Sequence, residues 1–220
     1  MPPSGPNPFE PLEPEAFADP YLWPPEALRF LKGEGDCLQV LGGEGMGKTT
    51  LLRLLQRELE ATGVRTQYAC LPAVDTVELP GVEPGVLVLL DEADRLSRGE
   101  LGELLRHLRE SGGRLVLGTH RSLAAQVRRA GLTCLEVRLR PLRRIEELRA
   151  LLQTRLRQAG WHLDDWLPEA AARRLLAAGR GNPLRCLQLA YELGEEVGSG
   201  HPVSPEDVRR AESALTRALS

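Results

Sequence analysis

Four glycines fall within six residues in GGEGMGKTT, residues 42–50, between the apolar run CLQVL (37–41) and the stretch KTTLLRLLQRELEAT (48–62). A short, nearly continuous apolar run suits a buried strand, and leucines at 51, 52, 54, 55 and 59 lie largely on one face of a helix. Glycine weakens the interior of either element, so the strand must end at the glycines and the helix must begin after them. This order of strand, tight loop and amphipathic helix restricts the chain to layered α/β architectures.

The pattern recurs downstream. RTQYACL (65–71), GVLVLLDEAD (85–94), RLVLGTH (114–120) and CLEVRL (134–139) are strand candidates, and ELGELLRHLRES (100–111) and SLAAQVRRAG (122–131) are helical between them. Strands alternating with helices predict a parallel sheet of about five strands flanked by helices. One link is unusual: LPAVDTVELPGVEPG, residues 71–85, holds three prolines and two glycines, so either that crossover lacks its helix or the second strand lies elsewhere. Nine of the 17 prolines lie in the first 25 residues, which predicts an extended arm whose Phe9, Phe17, Tyr21 and Trp23 pack on the body. PPEALRFLKG then reads as a short helix with Pro25 in its first turn and Gly33 past its end. After residue 141 strand signals stop, and 143–160, 168–179, 182–198 and 204–219 read as four helices, the last opened by Ser204, Pro205 and Asp207. The expected domains are an arm (1–25), an α/β domain (26–141) and an all-helical lid domain (142–220).

Composition excludes several classes of function. Hydrophobic residues are 42% of the chain, and no apolar run reaches the roughly 20 residues a spanning helix needs, so no membrane insertion is expected. The N-terminus has no basic start followed by an apolar stretch, which makes the cytoplasm the expected location. Cys37, Cys70, Cys134 and Cys186 form no C-x-x-C, and the four histidines have no metal-ligand spacing. A net charge of −3 argues against attraction of nucleic acid to the whole surface, although 128–144 carries six arginines against Glu136. That cluster is a solvated face or a partner surface.

The glycine loop carries the chemistry. Residues 42–49 satisfy G-x-x-x-x-G-K-T. Such a loop turns its backbone N–H groups inward, and the helix start behind it adds partial positive charge, so phosphate is the expected ligand. The chain has 26 arginines and two lysines, Lys32 and Lys48, yet a lysine stands in the loop. A compact ammonium fits between two phosphates where a forked guanidinium does not. Gly42, Gly43, Glu44, Gly45, Met46, Gly47, Lys48, Thr49 and Thr50 are thus the expected nucleotide-binding set, with Lys48 at the β- and γ-phosphates and Thr49 on magnesium. A second metal-holding group is needed at the end of a neighbouring strand, and Asp91 ends the most apolar one. Glu92, beside it, is suited to orient or deprotonate water.

GGEGMGKT, LLLDEAD, RLVLGTH and GNPLR in a helical C-terminal region together resemble the AAA+ ATPases, over roughly residues 6–215. PNPF at 6–9 resembles the N-terminal segment of the bacterial transposition-helper and secretion-associated members. The resemblance implies Mg2+-dependent ATP hydrolysis, with nucleotide between the α/β domain and the lid and turnover coupled to conformational change or assembly. It implies a γ-phosphate-sensing residue at the end of the strand after the acidic motif, where Thr119 stands with His120 as competitor. It also implies a lid sensor arginine at Arg185, and an arginine finger reaching a neighbouring subunit, for which Arg128 and Arg129 are candidates unless they are a solvated pair. Partners would be ATP, further copies of the chain, and an unidentified protein or DNA. The stretch 71–85 lacks the helix and loops through which many relatives engage DNA. A nucleotide-dependent switch with little turnover and a small-molecule kinase remain as alternatives.

Overall fold

The computed structural model describes residues 7–9, 23–71, 84–198 and 201–218. Cys37–Leu41 (β1), Arg65–Cys70 (β2), Val86–Asp91 (β3), Arg114–Thr119 (β4) and Cys134–Arg138 (β5) form one parallel sheet in the order β2-β3-β4-β1-β5. Pro25–Leu31 (α1), Lys48–Ala61 (α2), Arg98–Ser111 (α3) and Ala124–Arg129 (α4) flank it, so the five predicted strands and their helices are present. β2 stands where RTQYACL placed it and pairs with β3 from Arg65↔Val86 to Cys70↔Asp91. Residues 72–83 of the expected bare crossover and most of the proline-rich arm lie outside the described residues.

Alternation of side chains sorts the sheet into two faces. Leu38, Val40, Leu87, Leu89 and Val116 pack with Phe30 of α1 and Leu51, Leu52, Leu55 and Leu59 of α2. Cys37, Val88, Leu90, Leu115 and Leu117 point the other way and pack with Leu101, Leu104, Leu105 and Leu108 of α3 and Val127 of α4. A fully buried leucine contributes on the order of 2 kcal/mol, so the leucine stripes of α2 and α3 hold these helices against the sheet. α3 starts at a capping box between Ser97 and Glu100 and stops at Gly112, whose φ of 65° closes the last turn.

The chain forms two compact units, one ending at Leu139 and one starting at Arg140 that also takes in residues 7–9. Among the described residues the second unit is all helical: Ile145–Gln158 (α5), Leu163–Trp166 (α6), Glu169–Ala178 (α7), Pro183–Val197 (α8) and Pro205–Ala218 (α9). Four of these are the predicted helices. The fifth, α6, corrects the count of four: four residues holding two acids and one tryptophan are too short to show a helical period. The predicted cap of α9 is present, with Ser204 N donating to Asp207 Oδ2 at 2.7 Å and Asp207 N to Ser204 Oγ at 3.2 Å. The Ser204 hydroxyl, with the backbone at the cap, holds the Asp207 carboxyl below the usual range. Leu148, Leu152, Leu175, Leu189, Leu193 and Trp166 fill the core of this unit, and Phe9 joins them, its ring 5.3 Å from that of Trp166. Asn7 Nδ2 donates to Tyr191 O at 2.9 Å and to Glu195 Oε1 at 2.8 Å, which pins the segment to α8.

Candidate functional site

The chemistry-bearing residues of the sheet unit gather at the carboxyl ends of β1, β3 and β4. Gly42 N donates to Thr119 O at 3.2 Å, tying the end of β4 to the start of the glycine loop. Gly45 and Gly47 hold φ of 71° and 91°, values that side chains disfavour, and Gly47 is the residue before α2. A Cβ at Gly47 would meet nothing within 4 Å, and one at Gly43 only Met46 Cγ at 3.9 Å, so both glycines border open space of the kind a phosphate cradle needs.

Lys48 is buried at 6% exposure, and its three N–H donors find three acceptors: Gly42 O at 3.1 Å, Gly43 O at 3.3 Å and His120 Nε2 at 2.8 Å. An ammonium only donates, so His120 meets it with the lone pair of Nε2. The same Nε2 lies 3.4 Å from Glu92 Oε1. Glu92 itself sits at φ 58°, an uncommon conformation for a residue with a side chain, and Arg95 Nη2 approaches its Oε2 at 3.3 Å. Lys48, Glu92 and His120 therefore converge from α2, β3 and β4.

Asp91 is 1% exposed and accepts from Thr49 Oγ1 at 2.5 Å, Tyr68 Oη at 3.2 Å and Glu92 N at 3.0 Å. Burial, followed by the Asp91 charge, raises the Tyr68 phenol, which keeps its proton and donates it. Arg53, one turn beyond Thr49 on α2, lies with Cζ 3.4 Å above the Tyr68 ring. Asp91 has the parity of Leu87 and Leu89 and so faces α2, which is why its carboxylate meets Thr49. Gly118 makes the space: a Cβ there would stand 2.5 Å from Asp91 Oδ1.

The same parity separates Thr119 from His120. Thr119 follows Leu115 and Leu117 onto the α3/α4 face, is fully buried, and meets Gln39 Nε2 at 2.8 Å through Oγ1. His120, one residue on, is the side chain that reaches Lys48. Alternation counted back along RLVLGTH was the available sequence signal for this. Gln39, hidden in CLQVL, gave none.

Glu44, Met46 and Thr50 are loop or first-turn residues. Arg128 is exposed and bound to Glu136 Oε1 at 3.3 Å, while Arg129 is exposed and has no ion pair among the described residues. Arg185 belongs to the helical unit, where its amide donates to Asn182 Oδ1 at 3.1 Å at the start of α8 and its Nε is buried without a hydrogen bond. Among the described residues no cluster of His, Cys, Asp and Glu is suited to hold a metal by itself, and no helix is long and apolar enough to cross a membrane.

No protein-family model and no curated protein matches the chain. Solved structures do. A RuvB variant from Thermotoga maritima superposes with a TM-score of 0.63 at 20% identity, covering 87% of this chain and 67% of that one. Domain III of the replication initiation protein DnaA from Thermotoga maritima superposes equally well, at 0.63 and 19% identity over 93% of this chain and 98% of that one. A DnaA bound to AMPPCP and single-stranded DNA gives 0.57 at 18% identity, over 88% and 65%. The chain thus spans about two thirds of the RuvB structures and nearly all of the isolated DnaA domain. These likenesses, with the five-stranded parallel sheet and its helical companion, show that the chain shares the fold of these structures.

Proposed function

We propose that the chain binds Mg·ATP and hydrolyses it, coupling turnover to conformational change or to assembly on a protein or nucleic-acid partner. The observation that carries this reading is the convergence of Lys48, Glu92 and His120 beside the Thr49–Asp91 pair. Residues 42–50 would hold the phosphates through backbone N–H groups. Lys48 would turn its donors from Gly42 O, Gly43 O and His120 onto the β- and γ-phosphates. The Thr49–Asp91 pair is the donor set that suits magnesium, a hard cation that would offset phosphate charge. Glu92 would orient the attacking water and take its proton, and His120, between Lys48 and Glu92, would contact the γ-phosphate. Thr119 would serve by holding the end of β4. Arg185 is the proposed lid sensor. Arg129, without an ion pair among the described residues, is better placed than Arg128 to act on a neighbouring copy. The N-terminal NPF segment supports a place near the transposition-helper and secretion-associated ATPases. The DnaA structure with single-stranded DNA makes nucleic acid the first partner to try.

Steady-state ATP hydrolysis, with and without DNA, and binding of a labelled ATP analogue form the test. Glu92→Gln should lower kcat by about 10²- to 10⁴-fold with analogue affinity retained. Wild-type turnover in that variant would remove Glu92 from the chemistry. Binding with no turnover in the parent protein would instead favour a nucleotide-dependent switch, a reading that the Arg95 contact to Glu92 would serve. Phosphate transfer to a metabolite would point to a kinase.

A further inference from the structure

We infer that Gln39 is a positioning residue of this site, acting through His120, and that its network continues to Arg128 and Arg138 at the sheet edge. The inference rests on the ATPase reading for its kinetic consequences only. All five residues of β1 are buried, and Gln39 is the single polar one. A strand so placed is served best by apolar side chains, and a buried amide is tolerated only where its hydrogen bonds are made. Those of Gln39 are made, and they converge on one turn. Nε2 donates to Thr119 Oγ1 at 2.8 Å and to Arg121 O at 3.1 Å, while Oε1 accepts from Leu123 N at 3.2 Å and has Ser122 Oγ 3.5 Å away.

That turn, 119–123, is the one that presents His120. Asp94 grips it from the other side, accepting from His120 N through Oδ1 at 3.1 Å and from Arg121 Nη2 through its carbonyl at 3.0 Å. The His120 backbone is thus clamped between β1 and the short turn Ala93–Arg95, with its ring left to Lys48 and Glu92. Outward, Ser122 Oγ donates to Glu136 Oε2 at 3.1 Å, and Glu136 is the register partner of Gln39 on β5. Glu136 holds Arg128 at 3.3 Å and lies 3.6 Å from Arg138. A contiguous polar path therefore runs from the turn that presents His120 to two exposed arginines, through a face of the sheet that is otherwise apolar.

Gln39→Met keeps the length of the side chain and removes its hydrogen bonds. In the full chain it should lower kcat for ATP by about 10- to 100-fold, with the affinity for a non-hydrolysable analogue within about threefold of the parent. Combined with His120→Ala it should add less than about twofold, because the two act in series. Thr119→Val, which deletes one partner of the amide, should shift kcat in the same direction, and Thr119→Ser should restore it; this pair decides the matter if Gln39→Met does not fold. The imidazole NMR signals of His120, assigned by their loss in His120→Ala, should move in Gln39→Met whether or not ATP is turned over. Unmoved signals, or a full multiplicative loss in the double variant, overturn the inference while leaving the ATPase reading standing. Moved signals in a protein without turnover remove the ATPase reading and keep the placement of His120 by Gln39.

Discussion

Gly118, at the end of β4, and Gly194, in the last turn of α8, each leave room for a polar side chain from a distant part of the chain. A Cβ at Gly118 would stand 2.5 Å from Asp91 Oδ1, and one at Gly194 would stand 2.7 Å from Asn7 Oδ1. The steric device is the same and the outcome differs. In the sheet unit the space admits a buried carboxylate with three donors, which the proposed chemistry requires and which the apolar core by itself would exclude. In the helical unit it admits a neutral amide that bonds to Tyr191 O and Glu195 and brings Phe9 onto Trp166. One glycine serves a buried carboxylate, the other an anchor.

Substitutions can break this contrast. The largest expected effect is on the anchor: Phe9→Ala removes a ring that is 3% exposed and stacked on Trp166, and should cost about 3 kcal/mol in denaturant unfolding of the helical unit. ATP-analogue binding by the sheet unit should stay close to that of the parent. Next comes Gly118→Ala, whose methyl group displaces Asp91; Mg2+-dependent analogue affinity should fall by about 10- to 100-fold with little change in melting temperature. A large loss of stability with affinity intact would show that Gly118 serves packing and that the two glycines do not differ as described. The smallest net change is expected for Gly194→Ala, where about 1 kcal/mol of helix propensity is gained while Asn7 is pushed from its seat. Unfolding should change little, and limited proteolysis should cut before residue 9 sooner than in the parent.

Local patterns were legible. The glycine spacing of 42–49, the five apolar residues before Asp91, and the Ser204–Asp207 cap depend on neighbours within a few positions, and each appears as its residues predicted. Where one residue decided a role, the linear pattern was less informative. Thr119 and His120 both suit the end of a strand, and alternation sends only His120 to Lys48. Helix α6 escaped notice because four residues show no period, and Gln39 because one polar residue in an apolar run carries no label of its partner.

The order of residues along the chain determined the elements and carries the proposed ligand class, since backbone propensity, apolar periodicity and a glycine loop ahead of a helix act over short separations. Tertiary packing alone decided which side chains meet. Gln39 and Thr119 are 80 residues apart, and Asn7 and Tyr191 are 184 apart. Contacts over such separations form only once hydrophobic burial has set strand order and helix faces, because until then no local force holds the partners together.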